Sequence, residues 1–296
     1  LGDKRSGGLE HENSSVLSVS RFSFRPRRDY EEFILLAAHE HFHAWNVKRI
    51  RPQGLTPYNY DQENYTNLLW AMEGLTDYYA LLICRRAAIF SSERTLAILG
   101  EWMTKLARTP GRFVQSLEQS SYDAWVRLYR PSDDSINRTI SYYLKGSLVG
   151  CVLDAEIRRR SSDKFSLDDV MRLLSKRAAD GLPVPEGGFG TLVREATSVS
   201  VDDLLEKYVS GVADIQFGEH LGSLGVSVRA RAQEGPEDIG GWPSRRRRKG
   251  DEAAEQQPHL GAVLVSGSSS VSVVSVPTGS PAARDGLYAG DEIVAV

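Results

Sequence analysis

The most constraining feature of this chain is five residues long: His39-Glu40-His41-Phe42-His43. It contains the pattern H-E-x-x-H inside an apolar run, Phe33, Leu36 and Ala37, that recurs at helical spacing. On a helix, residues four apart project from one face, so His39 and His43 can grip a single ion. Glu40, next round the helix, points beside that ion and can hold a water. By composition alone the pattern arises in on the order of one chain in a hundred of this length. His41 faces the other way and reads as a packing residue. Asp29, with Glu32 three residues on, reads as the capped start of the helix.

A catalytic zinc needs three protein ligands and one open position. The metzincin extension would need glycine at 46 and histidine at 49, and the chain has Asn46 and Arg49. The gluzincin alternative needs a glutamate from a following helix, which Met72-Glu73-Gly74-Leu75-Thr76-Asp77 supplies. Glu73 and Asp77 share a helix face, so Glu73 can bind the metal while Asp77 fixes a ligand histidine. Gly74 in mid-helix costs about 1 kcal/mol, which a close approach by another backbone would explain. One zinc ion held by His39, His43 and Glu73, with Glu40 as base, is the expected centre.

Around this core the chain reads as mostly helical. Strands are expected within 7–24, and helices near 29–45, 64–86, 92–106, 114–127, 137–160, 167–179 and 201–209. Ser166/Asp169 and Ser200/Asp203 read as caps of the last two. Gly146 and Gly150 mark a close helix approach. The length of 296 residues suits one large domain and a smaller one. Hydrophobic residues at 41% predict a sizeable core, and a net charge of -3 gives no general pull toward nucleic acid. No run is apolar enough to span a bilayer. Residues 233–258 read as a solvated linker, and Arg245-Arg246-Arg247-Arg248-Lys249 as a charge block within it. From Leu260 the pattern turns to strands. Cys84 and Cys151 read as buried thiols. Leu1–Gly8 does not read as a signal peptide and both ends read as cut, so the compartment is not legible.

At this point the residues resemble a known family. His39 through Pro52 is similar to the signature of the M61 peptidases, the glycyl aminopeptidase family. Gly7-Gly8-Leu9-Glu10-His11, Glu63-Asn64-Tyr65-Thr66, Glu73 through Tyr79, Tyr142-Tyr143-Leu144-Lys145-Gly146 and Tyr208-Val209-Ser210-Gly211 continue the match in order. The resemblance implies an α+β, mostly α, thermolysin-like gluzincin domain over 1–225. A linker over 226–258 and a truncated, β-rich PDZ domain over 259–296 follow, the latter on the resemblance of Gly279 through Asp291. It further implies cleavage of peptides with small N-terminal residues, Gly or Ala. By extension to related M1-type aminopeptidases, Tyr143 stabilises the oxyanion, with adjacent Tyr142 as the alternative, and Glu10 binds the substrate amine. The PDZ resemblance implies a peptide or C-terminus as its ligand. A zinc endopeptidase of the same fold, and a PDZ scaffold with little catalysis, are the competing readings.

Overall fold

The computed structural model describes residues 6–235, 238–242, 259–267 and 270–295. The basic run Arg245–Lys249 lies outside the described residues. The architecture is α+β and mostly α. It begins with an antiparallel hairpin, β1 (Gly7–Glu10) and β2 (Ser15–Ser18), in the register Gly7↔Ser18 to Glu10↔Ser15. The hairpin lies on α1 (Arg27–Phe42). A π-helical turn, Trp70–Gly74, runs directly into α2 (Leu75–Arg86). Then follow α3 (Ser92–Ala107), α4 (Leu117–Tyr122), the single turn α5 (Ser135–Arg138) and α6 (Tyr142–Arg160).

The core is organised around α6. It is buried on nearly all sides, because α7 (Leu167–Ala179), α2, α3 and the π-turn pack round it. Glycine makes one of these approaches possible. A β-carbon on Gly74 would stand 2.5 Å from the Gly146 Cα, and one on Gly146 would stand 2.8 Å from the Trp70 carbonyl oxygen. Polar groups buried in α6 are used. Asp154 accepts from the Tyr78 hydroxyl at 2.8 Å and from the Leu167 N–H at 2.9 Å, so it also holds the first turn of α7. Cys84 and Cys151 are buried free thiols.

The shorter helices α8 (Phe189–Thr197), α9 (Asp202–Leu205) and α10 (Phe217–Leu221) close the far side. Three antiparallel strands, β3 (Val263–Ser266), β4 (Val271–Ser275) and β5 (Glu292–Ile293), form a small sheet with α11 (Pro281–Arg284). It touches the helical part where Asn137 donates to the Val276 carbonyl at 2.9 Å and accepts from the Thr278 N–H at 2.7 Å. Before this sheet, Gly241 packs on Gly100 of α3 and the Trp242 indole donates to the Glu93 carbonyl.

Several element boundaries differ from the sequence pattern, each for a local reason. α1 begins behind Pro26, whose φ of -66° already suits a helix start. Glu32 pairs with Arg28 and caps nothing. Phe22 and Phe24 are not strand residues; the Phe24 ring lies 5.1 Å from that of Phe33 on α1. Asn64 closes a loop by bonding Asn59, so the second helix starts at Trp70. Ser141 caps α6 and separates it from α5.

Candidate metal centre

α1 and the residue that ends it, His43, deliver His39, Glu40 and His43, all buried, to the side on which the π-turn presents Glu73. The two imidazoles meet edge to face, with ring centres 4.5 Å apart. Their Nε2 atoms are 2.9 Å apart, and Glu73 Oε2 lies 3.2 Å from each.

The other ring nitrogens settle the tautomers. His39 Nδ1 donates to Asp77 Oδ1 at 2.7 Å, and His43 Nδ1 donates to the Asn46 carbonyl at 2.6 Å. Both Nε2 lone pairs are thereby turned toward the Glu73 carboxylate. Three lone-pair atoms this close repel one another unless a cation or a proton stands among them. Four-coordinate zinc with bonds of about 2.0–2.1 Å needs ligand-to-ligand edges of about 3.3–3.4 Å. The triangle of 2.9, 3.2 and 3.2 Å is close to one face of that tetrahedron. The donor set, two imidazoles and one carboxylate, therefore fits such an ion.

The electrostatics agree. Burial opposes charge on His39, yet hydrogen bonds to Asp77 and Glu73 outweigh it and push the imidazole up to about 10. Burial also opposes charge on Glu73, but its bonds with His39 and His43 hold the carboxyl down at about 2. The carboxylates favour one positive charge at the centre.

Two features reach this cage from outside it. Asn46 stands within hydrogen-bond range of the Ala71 and Met72 carbonyls and of Thr76 Oγ1, at 2.9, 3.1 and 3.1 Å. A π-turn withdraws carbonyls from the regular α-helical ladder, and the Asn46 amide satisfies two of them. The same residue thus orients His43 through its carbonyl and steadies the turn that bears Glu73. The second feature is Gly8 on β1, where a β-carbon would stand 2.1 Å from Glu40 Oε1. The hairpin backbone presses on the Glu40 side chain. Glu40 Oε2 is buried without a hydrogen-bond partner among the described residues. Burial raises the Glu40 carboxyl above the ordinary range, with Glu10 and Glu73 adding to the rise and the two histidines opposing it.

Of the remaining predicted positions, Glu10 shares a small cluster with Glu40 and His43 and pairs with the Lys48 ammonium at 3.1 Å. The Tyr143 ring lies 6.2 Å from that of His39. Tyr142 stacks on Tyr143, ring centres 4.7 Å apart, but is 1% exposed and belongs to the core. Burial raises both phenols, most strongly Tyr143, and the Glu73 charge adds to the rise in each. Both hydroxyls reach the Tyr129 hydroxyl, at 3.3 Å from Tyr142 and 3.2 Å from Tyr143. His41 turns outward against Trp45. Sequence reasoning missed Gly8, Lys48 and Tyr129, and used Asn46 only to exclude a ligand pattern. Gly8 sits in a quoted motif, whereas nothing in the spacing of Tyr129 points to the centre.

Among solved structures the chain is similar to the crystal structure of an aminopeptidase N family protein from Idiomarina loihiensis, with 28% identity and a TM-score of 0.86. The similarity covers 99% of this chain and 50% of that one, so the chain spans about half its length. No curated protein matches the chain. No helix among the described residues is long and apolar enough to cross a membrane. Residues 32–149 match the M61 glycyl aminopeptidase family. His39, Glu40, His43, Glu73, Asp77 and Tyr143 all lie within this matched segment.

Proposed function

We propose that this chain carries the catalytic centre of a zinc aminopeptidase of thermolysin-like fold, which releases small N-terminal residues, Gly or Ala, from peptides. The observation that carries this reading is the triangle of His39 Nε2, His43 Nε2 and Glu73 Oε2, with Glu40 buried beside it. His39, His43 and Glu73 would hold the ion, while Asp77 and the Asn46 carbonyl keep both histidines in the binding tautomer. Bound zinc supplies Lewis acidity, which lowers the pKa of water toward 7 and polarises the substrate carbonyl.

The chain's own groups do the proton work. Glu40, raised by burial, accepts a proton from the attacking water and returns it to the leaving amine. The Tyr143 hydroxyl donates to the carbonyl oxygen as negative charge builds there. Its raised pKa keeps it protonated for that role. Glu10 binds the free α-amine of the substrate. Lys48 already shows that this carboxylate accepts an ammonium group.

The same contact favours a second reading. If Lys48 keeps Glu10 occupied, the substrate amine has no carboxylate and the centre acts as an endopeptidase. Residues 259–296 are proposed as part of a PDZ domain that takes a peptide C-terminus, joined through 226–258 to a catalytic domain over 1–225. A scaffold role without catalysis is disfavoured by the intact Glu40. The deciding experiment measures zinc stoichiometry and hydrolysis of glycyl and alanyl arylamides, with chelator and beside Glu40→Gln. Metal-free protein, or activity that survives the substitution, would overturn the proposal. Equal cleavage of N-blocked and free-amine peptides would favour the endopeptidase.

A further inference from the structure

A cavity of about 360 Å³ has a lining that includes Arg127, Arg130, Arg138, Ser132 and Ser135. Its volume falls in the range of small-ligand pockets. Arg138 is neutralised by Asp134, which also accepts from Asn137. The guanidinium groups of Arg127 and Arg130 have no hydrogen-bond or ion-pair partner among the described residues. Two unpaired guanidinium groups on one cavity repel each other, and an anion between them relieves that repulsion. The guanidinium fork matches a carboxylate with two parallel hydrogen bonds. The Ser132 and Ser135 hydroxyls, 3.3 Å apart, add neutral donors to the same wall.

One residue connects the segment that lines the cavity to the chemistry. Tyr129 sits between Arg127 and Arg130 in the chain, and its hydroxyl is 3.2 Å from that of Tyr143. Neighbouring Cα atoms are about 3.8 Å apart, so the cavity wall begins one residue from the ring that reaches Tyr143. Glu10 clusters with Glu40 and His43, whereas Tyr143 stands by His39. A peptide with its amine at Glu10 and its carbonyl at Tyr143 would have to pass Tyr129 to reach the arginines.

We propose that this cavity is a carboxylate subsite, which takes an acidic side chain or the free C-terminal carboxylate of the peptide beyond the bond cleaved. The inference rests on the peptidase reading above and names the class of substrate it prefers.

The test compares twin tetrapeptides with free N-termini on the full chain. One pair differs as C-terminal acid against amide. The other is amidated and differs as Glu against Gln at the third position. At low salt the acidic member of one pair is expected to show a KM roughly five- to tenfold lower, as for a charge-assisted bidentate contact. Which pair responds identifies the source of the carboxylate. In the double variant Arg127→Gln/Arg130→Gln the ratio within that pair is expected to fall to about one. Twins that behave alike in the unaltered chain, or a preference that survives in the variant, would overturn the subsite. If no peptide is cleaved at all, the peptidase reading has failed, and titration calorimetry of the same twins onto Glu40→Gln protein still decides. Tighter binding of the acidic twin that depends on the two arginines supports the subsite, and equal binding removes it.

Discussion

The Asn46 carbonyl lies 2.6 Å from His43 Nδ1 while the Asn46 side-chain amide reaches the Ala71 and Met72 carbonyls. One buried residue therefore couples both elements that supply the candidate ligands. Asn46→Ala leaves the backbone contact to His43 intact but frees the π-turn that bears Glu73. Zinc affinity is expected to fall about 10- to 100-fold, the range for loss of groups that support metal ligands. Competition against a chromogenic chelator measures it. Affinity within twofold of the unaltered chain would show that the turn holds Glu73 without Asn46.

Gly8 is the point where the hairpin touches the proposed base. A β-carbon there meets the whole Glu40 carboxyl end, with Oε1 at 2.1 Å and Cδ at 2.2 Å. Gly8→Ala must move either Glu40 or β1. The expected outcome is a fall in kcat of at least tenfold with zinc stoichiometry preserved, since none of the three ligands is touched. Stopped-assay kinetics beside metal analysis separates the two quantities, and an unchanged kcat would mean that Glu40 needs no such contact.

Tyr143→Phe removes the hydroxyl and keeps the ring beside His39. Loss of a preorganised donor to a developing oxyanion costs about 3 kcal/mol, or roughly a hundredfold in kcat. Tyr142→Phe, in the core, is expected to change kcat far less and to act on stability. Arylamide kinetics on both variants checks the assignment, and a larger loss from Tyr142→Phe would reverse it.

Lys145 is 1% exposed and its Nζ has no hydrogen-bond partner among the described residues. Burial is the main cause that lowers its ammonium to about 8, with Asp214 opposing and Arg112 adding to the drop. Because the folded chain binds this proton more weakly than the unfolded chain does, the group destabilises the fold below about pH 8. That penalty is lost as pH rises from about 8 toward the ordinary lysine value near 10.4. Lys145→Met is therefore expected to be more stable at pH 7, by on the order of a few kcal/mol. The advantage should shrink by pH 10. Urea unfolding of both proteins at several pH values gives the difference directly, and a gap independent of pH would contradict the assignment.

The part of the centre carried by single elements was legible in the chain. The i, i+4 spacing places His39 and His43 on one face of any helix, and the same spacing in Glu73 and Asp77 lets both reach His39. Caps were less legible. Ser166 with Asp169 forms the expected box, whereas Asp29 with Glu32 does not, because Pro26 already starts the helix and Arg28 takes the glutamate.

By itself, the order of residues determined which side chains could form a metal cage, since one helical turn sets that geometry locally. Only the tertiary structure decided how the cage is held and what surrounds it. Gly8, Asn46, Lys48 and Tyr129 act through contacts between segments far apart in the chain. Such contacts depend on how hairpin, π-turn and α6 pack, and a spacing rule within one element carries no information about that packing.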